Sequence, residues 1–266
     1  MNWKVYAAVS LGLALAMPAW AGENGGVILE AADGITLGNF NYQDAEVDID
    51  TEFFNPQGSA EYYFPGGAIA LGILYAQSEN DYDLDFDDGD TRWDGSLTAE
   101  RTTILPFLRL GKRESINLRL GLNIFEYEFS DGTLDKTEDG VTTHIREGYA
   151  KGDLATGIDA ELSLLFGDQF QFGLILGGTY FIGAEYEWTY LDADTGLREY
   201  GTAELDAVTF RLAPELSFEV AEGWRIFARY QLAGTTWLGS KDEDEDYAGV
   251  DVFAAAVVGL RVDLGF

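Results

Sequence analysis

Apolar and polar side chains alternate without a break in the segment Phe170–Tyr190, which reads FQFGLILGGTYFIGAEYEWTY. Alternate residues from Phe170 are apolar or aromatic apart from one glycine, and the residues between them are chiefly glycine, threonine, glutamine and glutamate. Side chains of a strand point alternately to its two faces, so this period predicts one strand with an apolar face. At roughly 3.3 Å per residue the segment is long enough to cross a bilayer. Its rings gather at both ends, with Phe172 near one and Trp188 near the other, as expected at two membrane interfaces.

The same alternation recurs along most of the chain. It is clear in four further segments: 153–166, 208–220, 224–239 and 249–266. It is weaker in three earlier segments, 69–75, 104–110 and 116–124, and weakest in a first hairpin formed by Gly34–Tyr42 and Ala60–Phe64. Together with Phe170–Tyr190 these segments predict ten strands, or eight if the first hairpin lies outside the wall.

The connections between these segments alternate between two kinds. The short ones are Pro65–Gly67, Gly111–Glu114, Gly167–Gln169 and Ala221–Gly223. The longer, acidic ones are Gln43–Gly58, Glu79–Asp94, Ser130–Lys151, Leu191–Gly201 and Lys241–Gly249. Short turns on one rim and longer loops on the other are typical of a membrane β-barrel. The predicted fold is therefore all-β: a transmembrane, antiparallel, up-and-down β-barrel.

With this pattern and a last strand that ends in Phe266, the chain resembles a small bacterial outer-membrane β-barrel over nearly its whole length. The resemblance implies that Phe266 is the terminal aromatic signal recognised by the barrel assembly machinery. It also implies a wall in contact with outer-membrane lipid and lipopolysaccharide, with short turns at the periplasmic rim and acidic loops at the external rim. A soluble exported barrel of the lipocalin kind is the alternative, and it requires the apolar stripes to face inward.

The N-terminus has the pattern of an export signal. Lys4 precedes an apolar run from Val5 to Met17, and Ala19-Trp20-Ala21 offers a small-residue cleavage site. We therefore expect three parts: a removed signal 1–21, a short periplasmic segment 22–33 and a single barrel domain 34–266. A retained membrane anchor is the alternative interpretation of the first part.

Composition narrows the classes of partner. The chain has 47 acidic and 16 basic residues, a formal net charge of −31. This charge excludes a nucleic-acid partner, because such binding needs a basic surface. The chain contains no cysteine, so an exported form gains no stability from disulfides. A closed barrel offers another source of stability, because every strand then has two neighbours.

The inner face of the predicted wall carries charges of both signs: Arg119, Asp159, Glu161, Glu185, Arg211, Glu215, Arg229, Arg261 and Asp263. We expect neighbouring strands to pair them, Arg119 with Glu161 and Glu215 with Arg229. Unpaired charges would be costly in a lumen hardly wider than its side chains. The leading interpretation is a structural or narrow-pore protein that passes at most small solutes or ions through this charged lumen.

The segment 79–94, ENDYDLDFDDGDTRWD, has the strongest acidic bias of the chain. A weakly held divalent cation is the one cofactor suggested by its aspartates, Asp81, Asp83, Asp85, Asp87 and Asp88. Their spacing matches a calcium loop only in part, because Asp88 stands where the EF-hand pattern requires glycine. The alternative function is therefore surface interaction, adhesion or cation binding through acidic external loops.

His144 is the only histidine, and it lies in the predicted loop Ser130–Lys151. A barrel hydrolase needs such a histidine beside a serine or coupled to an aspartate. Thr142, not an aspartate, stands two residues before it. We therefore expect no enzymatic activity, and a hydrolase that uses His144 is the third hypothesis.

Overall fold

The computed structural model describes residues 25–37, 39–42, 45–50, 56–87, 91–112, 115–191, 198–238 and 250–265. Within these ranges no helix is long and apolar enough to cross a membrane. The predicted export signal 1–21, Asp88 and the terminal Phe266 lie outside the described residues.

The described residues form β-strands joined by turns. The strands are β1 (Gly26–Leu37), β2 (Asn39–Tyr42), β3 (Ala45–Asp50), β4 (Gln57–Tyr63), β5 (Ile69–Asp87), β6 (Thr91–Gly111), β7 (Ile116–Glu138), β8 (Val141–Phe166), β9 (Phe170–Leu191), β10 (Arg198–Ala221), β11 (Trp224–Leu238) and β12 (Val250–Gly265).

The strands form one antiparallel sheet that closes on itself. Its order is β5–β4–β1–β12–β11–β10–β9–β8–β7–β6, and β6 pairs with β5 to complete the ring. The short strands β2 and β3 are not part of the ring. β2 pairs with β3, and β3 pairs with residues 81–85 of β5, after the residues 70–76 that pair with β4. The wall is a closed ten-stranded barrel, as the alternation predicted, and the eight-stranded alternative is wrong.

The first strand begins at Gly26, not at the predicted Gly34. It pairs with β12 from Gly26↔Gly265 to Leu37↔Ala254 and so joins the two ends of the wall. The predicted periplasmic segment 22–33 is therefore wrong over residues 26–33. The sequence EAADG at 30–34 hides the strand, because its small and acidic residues interrupt the apolar alternation.

The connections at one rim are short, as predicted. They span 64–68, 112–115, 167–169 and 222–223, with residues 113–114 outside the described ranges. Gly167 has a φ of +104°, and a Cβ there would stand 2.2 Å from the carbonyl oxygen of Phe170, so the turn requires glycine. We call this rim the turn end and the opposite rim the outer end.

Two of the predicted long loops at the outer end are mostly strand. β5 runs to Asp87 and β6 starts at Thr91, so the predicted loop Glu79–Asp94 is a hairpin. β7 and β8 likewise continue through Ser130–Lys151 and turn at Asp139 and Gly140, both with positive φ. Strands that project beyond the membrane have water on their outer face, so they need no apolar stripe and the alternation does not reveal them.

The two faces of the wall differ as the stripes predicted. Apolar side chains on the outside are exposed, for example Ile158 and Phe210 at 65% each. Their inward neighbours are buried, with Asp159 at 0% and Glu215 at 1%. The apolar stripes thus face outward, and the lipocalin alternative is wrong. Phe170 is also exposed on the outer face near the turn end, while the side chains of the rings at 186, 188 and 190 lie outside the described part of the chain.

Candidate functional site

A group of paired charges crosses the lumen of the barrel. It consists of Glu30, Glu61, Arg109, Arg119, Asp159, Glu161, Arg211, Glu215, Arg229 and Arg261. We call these residues the charge belt. They come from β1, β4, β6, β7, β8, β10, β11 and β12, so most of the wall contributes to the belt. Five arginines face five carboxylates, and the belt has no net charge when all are ionised.

The first of three groups in the belt is organised around the fully buried Asp159. Arg119 Nη2 lies 3.3 Å from Asp159 Oδ1 and 2.6 Å from Glu161 Oε2. Arg211 pairs with the other oxygen of Asp159, Oδ2, which also accepts a 2.7 Å hydrogen bond from Thr179 Oγ1. Arg119 stands opposite Glu161 in the register of β7 and β8, as predicted.

The second group consists of two arginines and two glutamates at the corners of a square. Arg229 Nη2 lies 2.6 Å from Glu215 Oε2 and 3.2 Å from Glu30 Oε1. Arg261 Nη2 lies 3.0 Å from Glu30 Oε2 and 3.1 Å from Glu215 Oε1. Each cation therefore bridges both anions, and Glu215 stands opposite Arg229 as predicted. Buried charges are tolerated when paired and hydrogen-bonded in this way.

The third group is a single ion pair between Arg109 and Glu61. Arg109 donates to both oxygens of Glu61, from Nε to Oε2 and from Nη2 to Oε1, and its Nη1 donates to Asn117. Two parallel hydrogen bonds fix an arginine more strictly than a single contact does. Glu61 is 1% exposed and Arg109 6%, so this pair is removed from bulk water.

Two phenylalanine rings pack between the arginines of the belt. The Phe107 centroid lies 5.5 Å from Arg109 Cζ and 5.4 Å from Arg119 Cζ. The Phe227 centroid lies 5.0 Å from Arg229 Cζ and 5.1 Å from Arg261 Cζ. Cations at this distance from an aromatic ring are attracted to its face. The rings therefore fill the space between the paired charges.

Inward-facing glycines make room for these rings. A Cβ on Gly72 would stand 2.4 Å from Phe107 Cζ, and one on Gly259 would stand 2.4 Å from Phe227 Cζ. Any larger residue at either position would displace the ring. The glycines on the inner face of the wall thus permit the close packing of the lumen.

A larger and a smaller cavity lie in the lumen, lined by described residues. The larger has a volume of about 260 Å³ and extends from the belt towards the outer end. The smaller, about 140 Å³, lies near the turn end beside Gln171, Glu219 and Asp263. Leu165 and Arg261 are the only described residues that line both cavities. These two side chains therefore lie at the boundary between the two cavities.

The belt contains seven of the nine predicted lumen charges. The other two are Asp263, which is exposed and lines the smaller cavity, and Glu185, whose side chain lies outside the described residues. The backbone of Glu185 stands opposite Glu204. Sequence reasoning missed Glu30, Glu61 and Arg109. Arg109 could have been found by its parity, because it alternates with the outward Leu108 and Leu110.

The predicted cation loop is a strand over the residues described. Asp81, Asp83, Asp85 and Asp87 belong to β5, and Asp88 lies beyond it, outside the described residues. Alternate residues on an extended strand stand roughly 6.6 Å apart along the chain, so they do not converge on one ion as the ligands of a loop do. Among the described residues no group of three or more acidic or histidine side chains could hold a metal ion.

His144 has an aspartate partner that its sequence neighbours do not reveal. Its Nδ1 lies 2.6 Å from Asp135 Oδ1, across the hairpin of β7 and β8. The side chains are 47% and 43% exposed, near the outer tip of that hairpin. Asp135 thus supplies the aspartate that does not stand two residues before His144, although exposure to water favours a surface pair over a catalytic one.

No protein-family model and no curated protein matches the chain. Among solved structures, the chain is similar to the translocator domain of the autotransporter NalP from Neisseria meningitidis, with 13% identity, 97% of each chain covered and a TM-score of 0.45. For the outer membrane protease OmpT from Escherichia coli the identity is 10%, the coverage 91% of this chain and 96% of that one, and the TM-score 0.46. For the outer membrane protein OprG from Pseudomonas aeruginosa the identity is 10%, the coverage 91% of this chain and 98% of that one, and the TM-score 0.33.

The described strands form a closed antiparallel barrel with the architecture of outer-membrane β-barrel proteins. Within the described residues, each of the ten wall strands has a paired neighbour on both sides, as a barrel wall in lipid requires. The outer face of the barrel is apolar, its lumen is polar, and its short turns lie at one rim, which together are the features of this architecture.

Proposed function

We propose that the protein is a narrow-pore barrel that admits at most small solutes or ions past the charge belt. The observation that carries the proposal is the position of Leu165 and Arg261 at the boundary between a cavity of about 260 Å³ and one of about 140 Å³. A passage must cross this boundary, so its width sets what the barrel transmits.

Arg261 is the charged member of the boundary, and its position is fixed by its partners. Its guanidinium bonds to both Glu30 and Glu215, and it packs on the Phe227 ring. Because these contacts come from three other strands, a change in the orientation of Arg261 requires ion pairs to break. These ion pairs therefore oppose a widening of the boundary.

Single-channel recording in planar bilayers tests this proposal. We expect a small conductance for the wild type and a larger one for Arg261→Ala, which joins the two cavities. Arg225→Ala is the matched control, because Arg225 lines only the smaller cavity. A large wild-type conductance that Arg261→Ala leaves unchanged would contradict the proposal. Heat-modifiable migration on gels would establish that each variant is folded.

A second candidate function is cation binding at the outer surface. The backbone register of β3 and β5 places acid opposite acid in three pairs: Glu46↔Asp85, Asp48↔Asp83 and Asp50↔Asp81. Like charges directly opposite one another destabilise a strand pair, and a divalent cation with carboxylate ligands offsets that repulsion. The acidic segment identified in the sequence would then act as a surface site for cations or a cation-bridged partner.

Thermal unfolding with calcium tests the second candidate. Calcium should raise the midpoint of the wild type more than sodium does at equal ionic strength, and Asp83→Asn should reduce the difference. Glu222→Gln, in an exposed turn at the other rim, should leave it unchanged. Equal effects of calcium and sodium on the wild type would rule this candidate out.

The surroundings and chemistry of the barrel complete the proposal. Outer-membrane lipid and lipopolysaccharide contact the apolar stripe, and the barrel assembly machinery inserts the chain. The protein has no enzymatic activity in this proposal, because the His144–Asp135 pair lies on an exposed hairpin.

A further inference from the structure

We infer that the larger cavity binds a small, uncharged, polyhydroxylated solute against the wall formed by β7, β8 and β9. The inference deepens the proposed function, on which it rests, by naming the chemical class of solute. The cavity of about 260 Å³ far exceeds the roughly 10–15 Å³ that one water molecule requires on a comparable measure. It is therefore large enough for a solute as well as water.

Asn123 supplies the polar group that points to a ligand. It is 5% exposed and lines the cavity, and its Nδ2 donates a 3.4 Å hydrogen bond to Thr179 Oγ1. Its Oδ1 is buried and has no hydrogen-bond partner in the described part of the chain. A buried acceptor without a hydrogen bond destabilises the folded protein. A hydroxyl donor from a solute or a water molecule would remove that destabilisation.

The cavity wall above the belt is rich in uncharged polar groups. Hydroxyl and amide side chains line it from seven strands: Gln57, Ser78, Thr103, Asn123, Thr179, Thr209, Gln231 and Thr235. Each of these groups can donate or accept a hydrogen bond, and none carries a charge. Arg101 also lines the cavity, nearer the outer end of β6.

Two aromatic rings lie beside Asn123. The centroids of Phe125 and Phe181 are 5.3 Å apart, and both rings line the cavity. Phe125 is the next inward residue after Asn123 on β7, and Phe181 holds the same relation to Thr179 on β9. A polyhydroxylated carbon chain presents hydroxyls for Asn123 and Thr179 and C–H groups for the rings. Polar groups that fix orientation beside an apolar surface are the usual composition of a small-molecule site.

The belt favours an uncharged solute over an ion. Its five arginines and five carboxylates are paired with one another at the floor of the cavity. An ion that descends to this floor loses water and finds no unpaired opposite charge there, which is unfavourable. A neutral solute avoids the desolvation of a charge and keeps its hydrogen bonds with the wall.

Saturation-transfer NMR on the refolded protein in detergent tests binding without requiring passage. The probes are D-xylose and the anion D-xylonate, which are similar in size; we expect the first to bind and the second not to bind. We expect a xylose signal with the wild type, no xylonate signal above the detergent blank, and loss of the xylose signal in Asn123→Leu. Thr156→Leu is the matched control, because Thr156 is exposed on the outer face of β8 and should keep the full signal.

Three other results of this experiment would overturn the inference. Absence of a xylose signal with the wild type would mean that water alone satisfies Asn123. A xylonate signal as strong as that of xylose would make the cavity a site for anions. A xylose signal that survives Asn123→Leu would place the solute elsewhere. Binding without any channel conductance would leave this inference standing while the proposed pore fails.

Discussion

Arg109 donates two parallel hydrogen bonds to the carboxylate of Glu61, at 2.8 Å and 3.0 Å, although 48 positions separate the two residues in the chain. β5 lies between their strands, so the pair spans the inner face of a neighbour. Glu61→Ala would leave the guanidinium buried without its carboxylate, and we expect it to lower the free energy of unfolding by about 3–5 kcal/mol. Urea unfolding in lipid vesicles, followed by tryptophan fluorescence, measures the change.

Glu222→Ala is the control for this prediction. Glu222 is exposed in the turn between β10 and β11, and its loss should change stability by less than about 0.5 kcal/mol. Equal small effects of the two substitutions would show that the Glu61–Arg109 pair contributes little to the fold.

Gly259→Ala should destabilise the barrel through the Phe227 ring. The added methyl group would stand 2.4 Å from Phe227 Cζ and 2.7 Å from the carbonyl oxygen of Ala31. Overpacking of this kind costs about 1–3 kcal/mol. Gly265→Ala on the same strand should be neutral, because nothing lies within 4 Å of its Cβ position. Urea unfolding compares the two, and equal stability would mean that Phe227 moves aside without cost.

Leu120→Arg tests the direction of the apolar stripe. Leu120 is 41% exposed on the outer face of β7. An arginine facing lipid near the midplane of a bilayer costs about 2–4 kcal/mol in a barrel of this kind. Val141→Arg, at the outer tip of the next strand, should have no effect because it lies in water. Folding yield and stability in vesicles measure both, and an unaffected Leu120→Arg would contradict the placement of the membrane.

His144→Ala should not change the hydrolytic activity of the protein, because we expect the wild type to have none. The wild type and the variant should both hydrolyse a casein peptide and a nitrophenyl ester no faster than buffer does. Hydrolysis by the wild type that is lost in both His144→Ala and Asp135→Asn would instead show that the exposed pair is catalytic.

The wall and part of the belt could be predicted from the sequence. A period of two persists wherever one face meets lipid, so the outward stripe of β9 and the inward position of Asp159 follow from parity alone. Consecutive strands joined by short turns also have a fixed register. This is why the pair Glu215↔Arg229, on strands joined by the turn at 222–223, could be predicted. The pair Arg119↔Glu161 follows instead from the inward parity of two neighbouring strands, because β7 and β8 are joined at the outer end.

The missing parts of the belt depend on contacts that parity does not reveal. Glu30 and Glu61 lie on β1 and β4, where acidic and small residues interrupt the apolar stripe. Glu30 meets Arg261 only because the ring closes between the first and last strands. The outer parts of β5–β8 were mistaken for loops for a related reason: no lipid selects apolar residues there, although the backbone ladder continues.

The absence of cysteine from the chain permits a direct test of the boundary between the two cavities. Ala255→Cys would place a thiol in the larger cavity, and Gln171→Cys would place one in the smaller cavity beyond Arg261. A membrane-impermeant maleimide added to intact cells should label Ala255→Cys, whereas Gln171→Cys should react only after the cells are opened. Equal labelling of both variants from outside would contradict the account, because the passage at the charge belt would then be wide enough for the reagent.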